Sequence, residues 1–122
     1  KPDRRQRQMC IRDRSTPKAD LGPAKNKLRF DLMKEENQEY YKAAQSNDLV
    51  EVADALGDML YILCGTIIEH GMQDKIEAVF NEIQRSNMSK LGANGQPIYR
   101  EDGKVLKGPH YFKPNIKSIL EQ

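Results

Sequence analysis

From Ala43 through Asp74 the chain contains neither lysine nor arginine, yet Glu51, Asp54 and Asp58 fall inside its most apolar stretch, Leu49 to Ile68. No Pro or terminal Gly breaks that stretch until Gly71, so it reads as one helix from about Leu49 to Glu69. Its apolar positions lie all round the helix, and a helix apolar on every side has to be enclosed by others. A chain of 122 residues supplies few such neighbours. The expectation is therefore an all-α fold, an antiparallel helical bundle completed by oligomerisation as a homodimer or homotetramer.

The acids in this helix need an explanation of their own. At 100° per residue, Asp54 and Asp58 lie about 60° and about 20° from Glu51, which gathers the three on one stripe. Burying an ionised carboxylate without a partner is severely unfavourable, and the stretch has no cation to offer. The three acids are protonated, exposed, or neutralised by a bound cation. The preceding segment, Lys25 to Ser46, lacks Gly and Pro and is rich in helix formers, so it is a second helix. It carries Glu35, Glu36 and Glu39 in the string KEENQE, all on one side. Ser46-Asn47-Asp48 forms the break, with Glu51 three residues after Asp48 as in a capping box. So short a connection makes the helices antiparallel and brings Glu39 near Glu51. Five or six carboxylates converging from two helices make an all-oxygen site, suited to Mg²⁺ or Mn²⁺ rather than zinc or copper. A Glu-x-x-His spacing for a di-iron site is missing, and His70, several turns away, reads as a surface residue at the helix end.

The charge balance, 20 basic against 18 acidic side chains, conceals two dissimilar pieces. Residues 1–14 hold six basic and two acidic residues, a formal +4, and the other 108 residues sum to −2. The opening string RRQRQMCIRDR has no helical or strand period and resembles the translated read-through of a sequencing adapter, so residues 1–14 are expected to be a non-native leader. A basic nucleic-acid arm is the competing reading, and nucleic acid is not the expected partner. Residues 15–24 read as a linker and residues 25–122 as the domain. Beyond the leader, Cys64 is the one cysteine, inside an apolar run, and reads as a small core hydrophobe. A reducing cytoplasm fits that usage, and no apolar run of about 18 residues without charges exists to span a membrane.

A third helix is expected from near Asp74 to about Met88, with Ile76, Val79, Phe80 and Ile83 on its apolar face. After it, Pro97-Ile98-Tyr99, Glu101-Asp102-Gly103 and Val105-Leu106 signal a short C-terminal β-hairpin. A final short helix is expected to start at Pro114.

Glu35-Glu36-x-x-Glu39 followed by Glu51-Val-Ala-Asp54 resembles the EExxE and ExxD pair of the all-α nucleoside triphosphate pyrophosphohydrolases, the MazG-like superfamily, which includes the phosphoribosyl-ATP pyrophosphohydrolases. The likeness covers about Lys25 to Lys90. The tail, SNMSKLG through KGPHYFKP, is similar to one bacterial and phage branch. The resemblance implies hydrolysis of a nucleoside triphosphate, or a phosphoribosyl-ATP-like nucleotide, to the monophosphate and pyrophosphate. It implies Mg²⁺ held by Glu36, Glu39, Glu51 and Asp54, with Glu35 catalytic through a further metal and the attacking water. Members usually carry another helix before the EExxE helix, so the chain is expected to lack the family's first helix. Asp58 departs from the usual residue there, and is expected to add a metal ligand, to touch the nucleotide or only to cap the stripe.

Asn87 and Lys90 are implied to reach the nucleotide, although a lysine at a helix end is also favoured by the helix dipole alone. Lys104, Lys107 and Tyr111, in the hairpin and the loop after it, would close over phosphate or base, against the plainer reading of a solvated basic hairpin. Tyr40, Tyr41 and Tyr61 are candidates to stack on a base or simply core aromatics. The alternative to an enzyme is a catalytically silent helical module that binds nucleotide or partners.

Overall fold

The structure is a computed structural model describing residues 16–92 and 94–122; the leader, residues 1–14, lies outside the described residues. Two compact units divide the chain, Lys1–Asp74 and Lys75–Gln122.

The first unit is an antiparallel pair, α1 (Pro23–Gln45) and α2 (Leu49–Glu69). Helix α1 starts two residues before the expected Lys25. Pro23 sits in its first turn, where the missing N–H costs nothing, after Gly22 at φ 94°. The start is tied locally: Asp20 Oδ1 accepts from the Gly22 N–H and the Asn26 amide, each at 2.8 Å. These two donors hold the Asp20 carboxyl below its ordinary range. At the break, Asn47 takes a left-handed φ of 53° and the Asp48 side chain accepts from the Glu51 N–H at 3.1 Å, the expected cap.

Cross-helix contacts fix the register. Lys25 meets Glu69 at 3.1 Å. One turn further on, Arg29 donates from Nε to Thr66 Oγ1 and from its terminal nitrogen to the Ile62 carbonyl, each at 3.0 Å. Gly65 leaves room for this placement, since a Cβ there would stand 2.9 Å from the end of the Arg29 guanidinium, which would have to shift.

Very little of this pair is covered. Ala43 and Ala55 are buried, whereas Leu49, Val50, Leu60 and Tyr61 of α2 are 62–82% exposed, and Phe30 and Tyr41 of α1 are exposed as well. The all-round apolar pattern is real, and one neighbour hides only one side of it. Cys64, expected as a core residue, is exposed for this reason. His70, expected as a surface residue at the helix end, stands at the C-cap of α2, where its Nδ1 lies 2.8 Å from the Lys18 carbonyl and its own carbonyl accepts from the Lys18 N–H. The linker thus folds back onto the end of α2.

The second unit holds α3 (Ile76–Met88) and the short α4 (Ile116–Leu120), with Val79 and Ile119 buried. A polar ladder binds its C-terminal segment to α3. Ser86, 2% exposed, donates to the Phe112 carbonyl at 2.8 Å, and Ser89 Oγ accepts from the Phe112 N–H at 3.1 Å. Glu82 accepts from the Asn115 N–H at 2.6 Å and from Arg85 Nε at 2.8 Å, and the Arg85 guanidinium stacks 4.3 Å from the Phe112 ring centroid. Helix α4 starts at Ile116, not Pro114, because Asn115 supplies the cap by accepting from the Ser118 N–H.

The expected β-hairpin contracts to one antiparallel bridge, Tyr99 to Val105, and no strand occurs among the described residues. The chain still reverses: Gly103 takes φ 84°, Arg100 N–H donates to the Lys104 carbonyl and Leu106 N–H to the Ile98 carbonyl. Pro97 cannot donate to a ladder, and two strands with no third to pair with are marginal at best.

Among the described residues no helix is long and apolar enough to cross a membrane.

Candidate functional site

Helix α1 turns its glutamates towards the acidic stripe of α2 in the register set by Arg29. The geometry separates them into two overlapping groups that share Glu39. In the first, Glu36 is partly buried, and its Oε2 is shielded from solvent with no hydrogen-bond partner. Burial pushes the Glu36 carboxyl above its ordinary range; Glu39, placed to share a proton with it, pushes further, and the negative charges of Glu39, Asp58 and Glu35 add to this. Asp58 of α2 is therefore close enough for its charge to act on Glu36.

The second group lines a pocket of about 380 Å³ at the α1–α2 turn. Glu39, Glu51 and Asp54 border it together with Lys42, Ala43, Ser46, Asp48 and Ala55. Glu39 and Glu51 share this pocket, as the short connection requires. Two of its charged side chains, Lys42 and Asp48, are not among the expected site residues. Lys42 is the last cation before the long acidic stretch and lies one turn past Glu39, a spacing that puts both on one face. Asp48 was read only as a cap, although a residue capping α2 stands at the same turn as the pocket.

The acids therefore fit a divalent cation in chemistry: several oxygen donors, one of them orphaned in a shielded position, with no surplus of protein cations. They do not yet close on a common point, since among the described residues no three acidic, histidine or cysteine side chains stand near enough together to hold a metal ion.

The other candidate residues, Asn87, Lys90, Lys107 and Tyr111, come together in the second unit. Asn87 and Lys90 line a pocket with Arg100, Gly103, Lys104 and Val105. The Lys107 ammonium lies 4.8 Å and the Lys90 ammonium 6.0 Å from the Tyr111 ring centroid. Arg100 was not anticipated; the hairpin register that aims it at the pocket is set by a turn rather than by a pattern of side chains. Of the tyrosines proposed for base stacking, Tyr61 is 82% and Tyr41 62% exposed, so neither belongs to a core in the single chain.

With this geometry in place, comparison with known proteins identifies the lineage. The chain is 35% identical over 75 residues to the uncharacterized protein L479 of Acanthamoeba polyphaga mimivirus, covering 62% of this chain and 30% of that protein. It is similar in fold, at a TM-score of 0.54 and 28% identity, to a crystal structure from Exiguobacterium sp. 255-15 described as a candidate NTP pyrophosphohydrolase, covering 84% of this chain and 66% of that one. The chain thus spans less than two thirds of either relative. Residues 6–87 match the Phosphoribosyl-ATP pyrophosphohydrolase family, and the chain belongs to that family.

Proposed function

We propose that the chain hydrolyses a nucleoside triphosphate, or a phosphoribosyl-ATP-like nucleotide, to the monophosphate and pyrophosphate, with Mg²⁺ or Mn²⁺ bound by Glu36, Glu39, Glu51 and Asp54. The observation that carries the reading is the orphaned, shielded oxygen of Glu36 among Glu35, Glu39 and Asp58. A carboxylate so placed is costly unless it is protonated or meets a cation. An ion held by these carboxylates would supply charge compensation for the polyphosphate and acidify a water.

The protein's own residues supply the rest. Glu35, on the flank of the cluster, orients the attacking water and accepts its proton. That water attacks the phosphorus of the phosphate kept by the monophosphate, and the anhydride bond to the next phosphate breaks, releasing pyrophosphate. Glu36, Glu39, Glu51 and Asp54 fix the cation, and Asp58 adds a charge facing Glu36. Asn87, Lys90, Lys107 and Tyr111 bind nucleotide. The uncovered apolar surface of α1 and α2 is taken up in a homodimer or homotetramer, since a patch of that extent on a monomer is unusual. The exposed thiol of Cys64 suits a reducing cytoplasm.

A panel of nucleoside triphosphates and phosphoribosyl-ATP incubated with Mg²⁺ tests this. Pyrophosphate and the monophosphate are the expected products, and EDTA abolishes their formation. The second reading, a catalytically silent module, is favoured by the acids not closing on one point. Nucleotide binding with no turnover of any member of the panel selects it.

A further inference from the structure

The pocket at the α1–α2 turn holds one cation among its acids. Lys42 lines it together with Glu39, Asp48, Glu51 and Asp54 in a space of about 380 Å³, so the charged lining sums to a formal −3. The turn fixes the root of this lysine: its carbonyl accepts from the Ser46 N–H at 3.1 Å and from Ser46 Oγ at 3.0 Å. Its ammonium is uncommitted. Lys25 and Lys27 of the same helix are each paired with an acid, Glu69 at 3.1 Å and Asp31 at 3.2 Å. Lys42 borders a pocket with four acids and forms no ion pair among the described residues.

The helix dipole favours a cation in the last turn of α1, where Lys42 stands. That preference explains a lysine at this height, but not its place on the face that also carries Glu39, three residues earlier. An ammonium on a flexible four-carbon stem is a point charge that moves to whichever acid lacks a partner. In a concave site the field of several like charges concentrates and draws such a charge inward. A divalent ion entering the pocket meets the same oxygens, and they cannot serve both cations fully.

We propose that Lys42 is a tethered competitor of the divalent cation. In the metal-free protein its ammonium partners Glu39, Glu51 and Asp54 in turn, and it gives way when Mg²⁺ enters. The affinity for free Mg²⁺ is thereby held low. Mg²⁺ is usually held by one or two carboxylates together with substrate phosphates, so a pocket weakened in this way retains the ion only when a substrate adds its own oxygens. Lys42 thus couples the metal to its substrate without being a metal ligand. The coupling rests on the hydrolytic function proposed above, whereas the competition itself does not.

The test is calorimetric titration of the full chain with Mg²⁺ alone, no nucleotide being present. Lys42→Ala and Lys42→Gln are each expected to tighten Mg²⁺ binding about fivefold, the effect of one unit charge acting through largely aqueous surroundings. Misfolding does not imitate a gain in affinity. Lys42→Arg keeps the charge and is expected to bind as the wild type does. Lys27→Ala makes the same change in net charge about 18 Å along α1 from Glu39, and is expected to leave the affinity unchanged. Carbon-13 methylation of the lysines gives a second readout. The resonance missing from Lys42→Arg is expected to move as Mg²⁺ is added, because the ammonium leaves the acids. Unchanged or weaker Mg²⁺ binding in both Lys42→Ala and Lys42→Gln, an equal gain in Lys27→Ala, or a Lys42 resonance indifferent to Mg²⁺ overturns the proposal. Pyrophosphate release measured alongside separates it from the hydrolytic reading. Mg²⁺-dependent release with an Mg²⁺ affinity indifferent to Lys42 removes this proposal alone, and a Lys42-dependent affinity with no release from any triphosphate removes only the hydrolytic one.

Discussion

The two units are built from opposite charge. In residues 16–74 six basic side chains face eleven acidic ones, a formal −5, whereas residues 75–122 sum to +3. The difference is also one of construction. In the helix pair the acids are crowded on facing helices and a glutamate oxygen is orphaned. In the second unit the polar groups are mostly satisfied, from Ser86 and Ser89 on Phe112 to Glu82 on Asn115 and Arg85. Crowding that a fold does not relieve internally marks a place kept for a ligand, and a satisfied ladder marks a scaffold.

The largest effect that would break this contrast falls on the crowded side. Glu39→Gln or Asp54→Asn is expected to lower Mg²⁺-dependent turnover on the order of a hundredfold or more, since a metal ligand supports several kcal/mol of transition-state stabilisation. Steady-state assays at saturating Mg²⁺ measure it, and near wild-type rates would dissolve the functional meaning of the cluster. The same crowding predicts that Glu36→Gln raises the thermal midpoint of the metal-free protein, because the neutral amide removes the charge that burial and Glu39 oppose.

Next in size is the clamp that sets the register. Arg29→Ala removes two part-buried hydrogen bonds from a charged donor and is expected to cost about 2 kcal/mol in denaturant unfolding. Activity should fall with it, because the same register aligns Glu36 with Asp58. On the scaffold side, Ser86→Ala leaves the Phe112 carbonyl without its donor and is expected to cost about 1 kcal/mol.

The smallest effect depends on pH. Arg85, and then the Asn115 N–H, hold the Glu82 carboxyl below its ordinary range. The folded form therefore binds that proton less readily than the unfolded chain, so the stability it contributes is present above the ordinary glutamate range. It is lost as pH falls through the lowered value. Unfolding followed from neutral to acid pH is expected to show a shallower decline in Glu82→Gln than in the wild type. An identical slope would place the acid sensitivity elsewhere.

Much of the first unit was legible because its signals are local. Asp48 caps α2 as the spacing to Glu51 indicates, and α2 runs from Leu49 to Glu69 as the apolar pattern requires. The convergence of Glu39, Glu51 and Asp54 followed from one short turn and two helical periods. Other features depended on partners distant in sequence. Arg29 looks like any exposed helix arginine until Gly65 and Thr66 are seen opposite it, and nothing near His70 in the sequence announces that Lys18 of the linker returns to it. Cys64 was misread because the enclosure its helix calls for is absent from a single chain. The hairpin signal was sound about the turn and wrong about the strands, because turn residues act locally whereas a ladder needs length and a neighbour.

The central claim is that the crowded acids are completed by a divalent cation, and Mg²⁺ titration by calorimetry, with a non-hydrolysable triphosphate present, tests it most directly. The account predicts saturable Mg²⁺ binding that Glu36→Gln and Glu39→Gln each weaken at least tenfold. No Mg²⁺ binding to the wild type, or binding indifferent to both substitutions, would contradict it.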